Sequence, residues 1–416
     1  MELKPEGHQK IIRLIDKGVD IPNPLTLAVG DEVNLDQISG RGVRIYPGCR
    51  IYGKETVISE GAQIGYEGPV TIQDCQLGPR VELKGGYFNK AVFLEGACMG
   101  LAAQVREGCI LEEQANGAHC VGLKQTILFP FVTLGSLINF CDCLMAGGTS
   151  RRDHSEVGSS YIHFNFTPSG DKTTASLFGD VPRGVMLNQA PIFLGGQGGA
   201  VGPVLLGYGN VVIAGTILRK DTTENNNLVI GKTYNEGIIN LMPELYTGLL
   251  RMVKNNILYL ANLAALEQWY VHVRKRFFDF QEFGDLVYAG VLDKLALARK
   301  ERTKRLKAMV EKIPASLRKG DRPGPAGVGR LELHRNIEQV CALFGPDTAY
   351  EVGIEHRERF LNLFHNHKGN DATYLEAIQD LPGAVSKAGT SWLDLIIHEL
   401  CTKAAEMLPS MRLFPK

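Results

Sequence analysis

No apolar run in this chain approaches the roughly 20 residues needed to cross a bilayer, so no membrane-spanning role is expected. Neither sign of charge is in excess. Lys plus Arg and Asp plus Glu number 45 each, which removes the usual electrostatic reason to expect nucleic acid or an anionic membrane surface as a partner. Nine cysteines form no paired CxxC motifs, which argues against a disulfide framework and fits reduced thiols in a cytosolic protein. The start, Met1-Glu2-Leu3-Lys4-Pro5-Glu6, lacks a hydrophobic signal core, so a cytoplasmic location is the expectation. Cys141-x-Cys143 and His365-x-His367 have no nearby partner pairs, so the sequence requires no metal. The basic run Lys300, Arg302, Lys304, Arg305 and Lys307 reads as a solvated helix face.

What is present is a period of six. Ile45, Ile51 and Val57 are six apart, as are Ile58, Ile64 and Val70, then Phe93, Met99, Val105 and Leu111, then Ala115, Val121 and Ile127. Leu205, Val211 and Ile217 take up the pattern again after a polar interruption. A six-residue apolar period with small residues beside it is the hexapeptide signature of a parallel β-helix, with the apolar residue pointing inward on each short strand. Gly48, Gly61 and Gly96 fall where corners need positive φ. An antiparallel sandwich would not hold the six-residue phase this often.

The expected fold is therefore mainly β, a left-handed parallel β-helix followed by an α-helical C-terminal region. The expected organisation is an amphipathic helix and lead-in over 1–24, the β-helix over 25–232, and a helical region over 235–317. An exposed linker over 318–330 and a second helical region over 331–416 follow. Ile51, Ile64, Met99, Val105, Val121 and Val211 are expected to point into the coil. The helical half is expected to cap the end of the coil and protect its unpaired backbone groups.

The polar interruption carries the chemistry. Ser150-Arg151-Arg152-Asp153-His154 is followed by His163-Phe164-Asn165-Phe166 and Gly170-Asp171-Lys172, so His154, Asn165 and Lys172 lie within 19 residues. A neutral His can take a proton from an amine nucleophile, an Asn can hydrogen-bond an oxyanion or a sugar hydroxyl, and a Lys can hold a phosphate. Arg151 and Arg152 present planar forks of donors suited to phosphate, and His163 joins the candidate substrate-binding set. The bland alternative for His154 is a salt-bridged surface corner with no chemistry. Downstream, Gly195-Gly196-Gln197-Gly198-Gly199 reads equally well as a close approach to a ligand or as a tight corner.

Three stretches together resemble the C-terminal acetyltransferase domain of the bifunctional N-acetylglucosamine-1-phosphate uridyltransferase/glucosamine-1-phosphate acetyltransferase. They are Leu14 to Pro24; Met99 to Gly108; and Ser150 to Lys172, continued by Val201-Gly202-Pro203 and Ala214 to Asp221. The resemblance covers roughly residues 11–221. It implies a homotrimeric left-handed β-helix with sites between subunits and acyl-CoA or acetyl-CoA as co-substrate. It also implies His154 as general base, Asn165 as sugar and oxyanion contact, and Lys172 and Arg106 as substrate-binding residues. Ala214, Gly215, Arg219 and Lys220 fall to the cofactor side. Phe166, Val157 and Gln104 stand where the family has Tyr, Tyr and Arg. The Gly-rich nucleotide loop of the uridyltransferase half does not precede the coil.

Two functions follow as expectations. One is acyl transfer to a sugar phosphate or nucleotide sugar. The other is a non-catalytic sugar-nucleotide-binding or scaffolding role, which the Phe166, Val157 and Gln104 departures favour.

Overall fold

The computed structural model describes residues 5–163, 172–231, 237–238, 246, 248–314, 325–346, 348–367 and 372–414. Its core is a parallel β-helix whose rungs stack in register: Ile45 on Ile64, Ile64 on Leu83, Leu83 on Met99, and Met99 on Gly117. The step from Met99 to Gly117 is one full coil of 18 residues, three hexapeptides. One side of the prism is a ten-stranded sheet. The other two sides join into a 16-stranded sheet because Val121–Leu128 and Ile138–Met145 run through a corner. Gln125 and Asp142 take positive φ at that bend. The ladders are parallel throughout the coil, as in a left-handed hexapeptide β-helix.

The inward residues are those the period of six selects. Ile51, Ile64, Met99, Val105 and Val121 are fully buried and belong to one continuous core. Each such side chain removed from water is worth about 1.5–3 kcal/mol, so the stacked column supplies the drive for coiling. Val211 is the exception. It faces solvent while Val212 behind it is buried, and the same one-residue shift puts Leu206 and Leu218 inside in place of Leu205 and Ile217. Each of these strands carries two adjacent apolar residues, so the pattern alone fits either phase, and the pairing of Leu194 with Val212 sets the true one.

Helix α1 (Pro5–Lys17) lies over the first coil with Ile11 and Leu14 buried and Ile12 and Ile15 exposed. The C-terminal part contains α3 (Leu249–Trp269), α4 (Lys275–Phe278), α5 (Gly284–Val310), α6 (Pro325–Ala342), α7 (Ile354–His367), α8 (Tyr374–Gln379) and α9 (Gly383–Met407). A short α2 (Val181–Gly184) rises from the coil itself. Helix α6 begins inside the stretch expected to be linker, whose residues 318–324 lie outside the described residues.

Among the described residues, the helical part does not cap the coil end. It lies along one side. Helix α5 packs on Gln76–Leu77, Ala91–Phe93 and Cys109–Leu111, and α3 packs on Ser176–Phe178. Strands on this side are therefore buried on both faces, as Ala91-Val92-Phe93, Cys109-Ile110-Leu111 and Cys143-Leu144-Met145 show. Apolar residues at consecutive positions, where the other sides alternate, are what draw the helices there. The basic run is only partly solvated, because Arg302 is buried against the coil.

Candidate functional site

Most coils take 16 to 19 residues, and two are much longer. From Leu134 to Val157 the step is 23 residues, and from Val157 to Leu194 it is 37. The first excess is a small antiparallel hairpin, Gly148–Ser150 against Asp153–His154, thrown out from a corner. Gly148 at φ +96° is required there, because a Cβ would come within 2.5 Å of the His154 Cα. The second excess contains His163, Asn165 and Lys172. Asn165, Phe166 and Asp171 lie outside the described residues.

The hairpin folds back along the corners of the preceding coils. The Arg151 guanidinium donates to the carbonyls of Gln114 (3.1 Å) and Phe131 (3.0 Å) and to Thr133 Oγ1 (2.9 Å). Arg151 is thus a staple, and its donors are engaged by the chain. Arg152, next to it, is exposed and has no ion pair or side-chain hydrogen bond among the described residues.

His154 is held in one tautomer. Its Nδ1 lies 3.0 Å from the Arg151 carbonyl, and a carbonyl oxygen only accepts, so Nδ1 carries the proton and Nε2 presents a lone pair. Glu156 Oε2 stands 3.7 Å from Nε2. Two acceptors do not bond at that distance, so the pair is a close approach and not a hydrogen bond. Sequence reading overlooked Glu156, although its place two residues from His154 on one short segment was visible.

His163 is sealed in the coil wall. Its Nδ1 meets the Cys141 carbonyl and its Nε2 the Ser176 Oγ, both at 2.6 Å, and burial pushes its pKa down to about 4. Neither nitrogen is left for a substrate, which corrects its place in the expected binding set. Lys172 and Arg106 are exposed, as are Ala214, Gly215, Arg219 and Lys220 on a late coil. The Gly195–Gly199 string resolves as coil-to-coil approach. A Cβ at Gly195 would meet Ala214 N at 2.4 Å and one at Gly199 the Tyr161 carbonyl at 2.8 Å, while positive φ falls on Gln197.

Between the hairpin and the helical part opens a cleft of about 830 Å³. Arg151, Arg152, Glu113, Phe131, Phe280 and Tyr374 are among its walls; His154 is not. Gln379 of α8 donates to the Thr149 carbonyl and ties the hairpin to the helices. Beneath the cleft sits a buried charge network. Arg274, on the π-helical turn Tyr270–Arg274, pairs with Glu113 and with Glu112 (3.2 Å) and lies 3.8 Å from the Tyr374 ring centroid. Burial pushes the Glu112 carboxyl up to about 7 against the pull of Arg274. The adjacent carboxylates Glu112-Glu113, in an otherwise apolar stretch, were the signal for this network in the sequence.

No protein-family model matches the chain. Relatives do. The bifunctional protein GlmU of Thermotoga maritima is 27% identical over 214 residues, 51% of this chain and 42% of the relative. That of Trichlorobacter lovleyi is 24% identical over 223 residues, 53% of this chain and 43% of the relative. That of Fervidobacterium nodosum is 25% identical over 233 residues, 56% and 46%. The relatives are bifunctional GlmU proteins. The chain spans less than half the length of those it matches, and the β-solenoid agrees with a hexapeptide-repeat, acetyltransferase-like domain.

Among the described residues, no helix is long and apolar enough to cross a membrane.

Proposed function

We propose that the coil carries an acyl-CoA-dependent acyl transfer to an amine or hydroxyl of a sugar phosphate or nucleotide sugar. The nucleophile attacks the thioester carbonyl, the C–S bond breaks, and His154 Nε2 takes the nucleophile's proton and passes it to the leaving thiolate. The observation that carries this reading is the bond from His154 Nδ1 to the Arg151 carbonyl, which leaves Nε2 as the basic atom. The nearness of Glu156 Oε2, 3.7 Å from Nε2, supports this reading, because a carboxylate there would face the charge that forms in that step. Lys172 and Arg106 are the exposed cations available for phosphate on this reading, whereas Arg152 lines the cleft and stands apart from His154. Ala214, Gly215, Arg219 and Lys220 would line the path of the acyl donor, with neighbouring subunits of a homotrimer completing each site. Asn165 would steady the oxyanion or a sugar hydroxyl.

A second reading, binding without catalysis, is favoured by the loss of two expected ligands to the fold itself. Arg151 is committed to backbone carbonyls and His163 is sealed away. Release of free thiol from acetyl-CoA, with sugar phosphates and amino-sugar nucleotides as acceptors, separates the two. Acceptor-dependent thiol release supports transfer; ligand binding with none at any acceptor leaves the binding role.

A further inference from the structure

We propose that the cleft between the hairpin and the helical part is a nucleotide site, separate from His154. Three unmet demands define its ligand. The Glu113 side chain is 9% exposed, and while one of its oxygens pairs with Arg274, its Oε2 is buried with no hydrogen-bond partner. A carboxylate only accepts, so a ligand seated against this wall would meet it with an N–H or O–H donor. Leaving such an oxygen unmet is costly, and the demand is met when a donor arrives. At the rim, Arg152 offers donors and a positive charge that nothing else in the described chain uses, which calls for an anion. At the mouth, Phe280 is 79% exposed, an unusual place for a bare ring, and calls for a flat partner.

A base, a sugar and a phosphate answer these demands together. The base stacks on Phe280, an amino or ring N–H donates to Glu113 Oε2, and the phosphate lies on Arg152. A cleft of about 830 Å³ is ample for a nucleoside monophosphate. Gln114, Gln281 and Gln379 add amides that can read either donors or acceptors on a base edge. Sugar or phosphate alone would leave Phe280 unused.

Such a nucleotide could be free or the adenosine end of coenzyme A, and the two sources differ in what else they bind. The test is calorimetric titration of the whole chain with AMP, CMP, UMP, coenzyme A and orthophosphate. At least one nucleotide should bind well above orthophosphate. The variants Phe280→Ala and Arg152→Ala are surface changes that should fold normally. Each should weaken that binding by about tenfold or more, as loss of a stacked base or a phosphate contact does. Coenzyme A binding more tightly than AMP, with the same sensitivity to both variants, identifies the source as the acyl donor. AMP binding as tightly identifies a free nucleotide.

His154→Ala should leave this binding unchanged, so failure of the acyl-transfer reading and failure of this site are distinguishable. The proposal is overturned if no nucleotide binds better than orthophosphate, or if binding survives both Phe280→Ala and Arg152→Ala.

Discussion

Arg302 of α5 reaches Asp142, at a corner of the coil 160 residues earlier in sequence, and donates to its Oδ1 at 2.7 Å. Thr174 holds the other carboxylate oxygen at 2.8 Å. The pair joins the helical part to the coil where both partners are shielded from water. Asp142→Ala would leave a buried guanidinium alone, at a cost of about 3–5 kcal/mol. Urea unfolding should show that loss. A midpoint equal to the parent's would mean that Arg302 finds solvent when its partner is removed.

Val105 tests the coil itself. It is fully buried, with Phe88 and Leu123 beside it on adjacent rungs. Val105→Asp puts an unpaired charge into that column and should cost more than about 4 kcal/mol, enough to prevent folding of a domain of ordinary stability. Circular dichroism and thermal melting read the outcome, and a parent-like melt would mean the inward register is wrong.

How much of this could be read beforehand depended on range. Ile51, Ile64 and Met99 were identifiable because one residue in six repeats locally, whatever lies elsewhere in the chain. Val211 was misplaced because Val212 beside it is equally apolar, and only stacking on Leu194 breaks the tie. Arg302 looked like part of a solvated basic run because its partner is distant in sequence. His163 looked available for the same reason: Cys141 and Ser176, which consume its nitrogens, come from neighbouring coils. His154 was legible as a polar residue in an apolar scaffold. The tautomer that leaves its Nε2 without a proton depends on a hairpin whose register no period predicts.

His163 makes the acid limb of stability partly a single-residue effect. Its pKa in the folded chain, about 4, lies below the ordinary 6.5, so folding disfavours the protonated ring. Its contribution is fully present above pH 6.5 and is lost as pH falls through 4. Stability measured by denaturant should drop between pH 6.5 and 4, and His163→Asn should narrow that drop. Equal pH dependence in parent and variant would remove His163 from the account.

The transfer reading puts the dependence on His154 in turnover. His154→Ala should lower kcat by about two to four orders of magnitude with little change in KM, the usual worth of a general base. Glu156→Gln should have a smaller effect and shift the pH dependence of kcat, because it alters the charge beside the imidazolium. Full activity in His154→Ala would exclude it as the base.

Assembly is measurable directly. The trimer implied by the family resemblance would scatter light at about three times the 45.6 kDa of one chain. A mass near one chain at micromolar concentration would rule it out and would require each site to be completed within a single subunit.

Helices α3 and α5 have already occupied one whole side of the prism. A bare triangular coil can meet a copy of itself through any of three walls; this one has two left, and they are not alike. One of them carries Phe193, Val211 and Leu228 outward, one above another on successive rungs. A symmetric arrangement of copies joined wall to wall through the coil would therefore carry the helices on the outside. An appended partner that bound where the helices lie would have to peel them away first. Chemical cross-linking should accordingly join copies through residues of the coil's open walls and leave Ala91-Val92-Phe93 and Cys109-Ile110-Leu111 untouched.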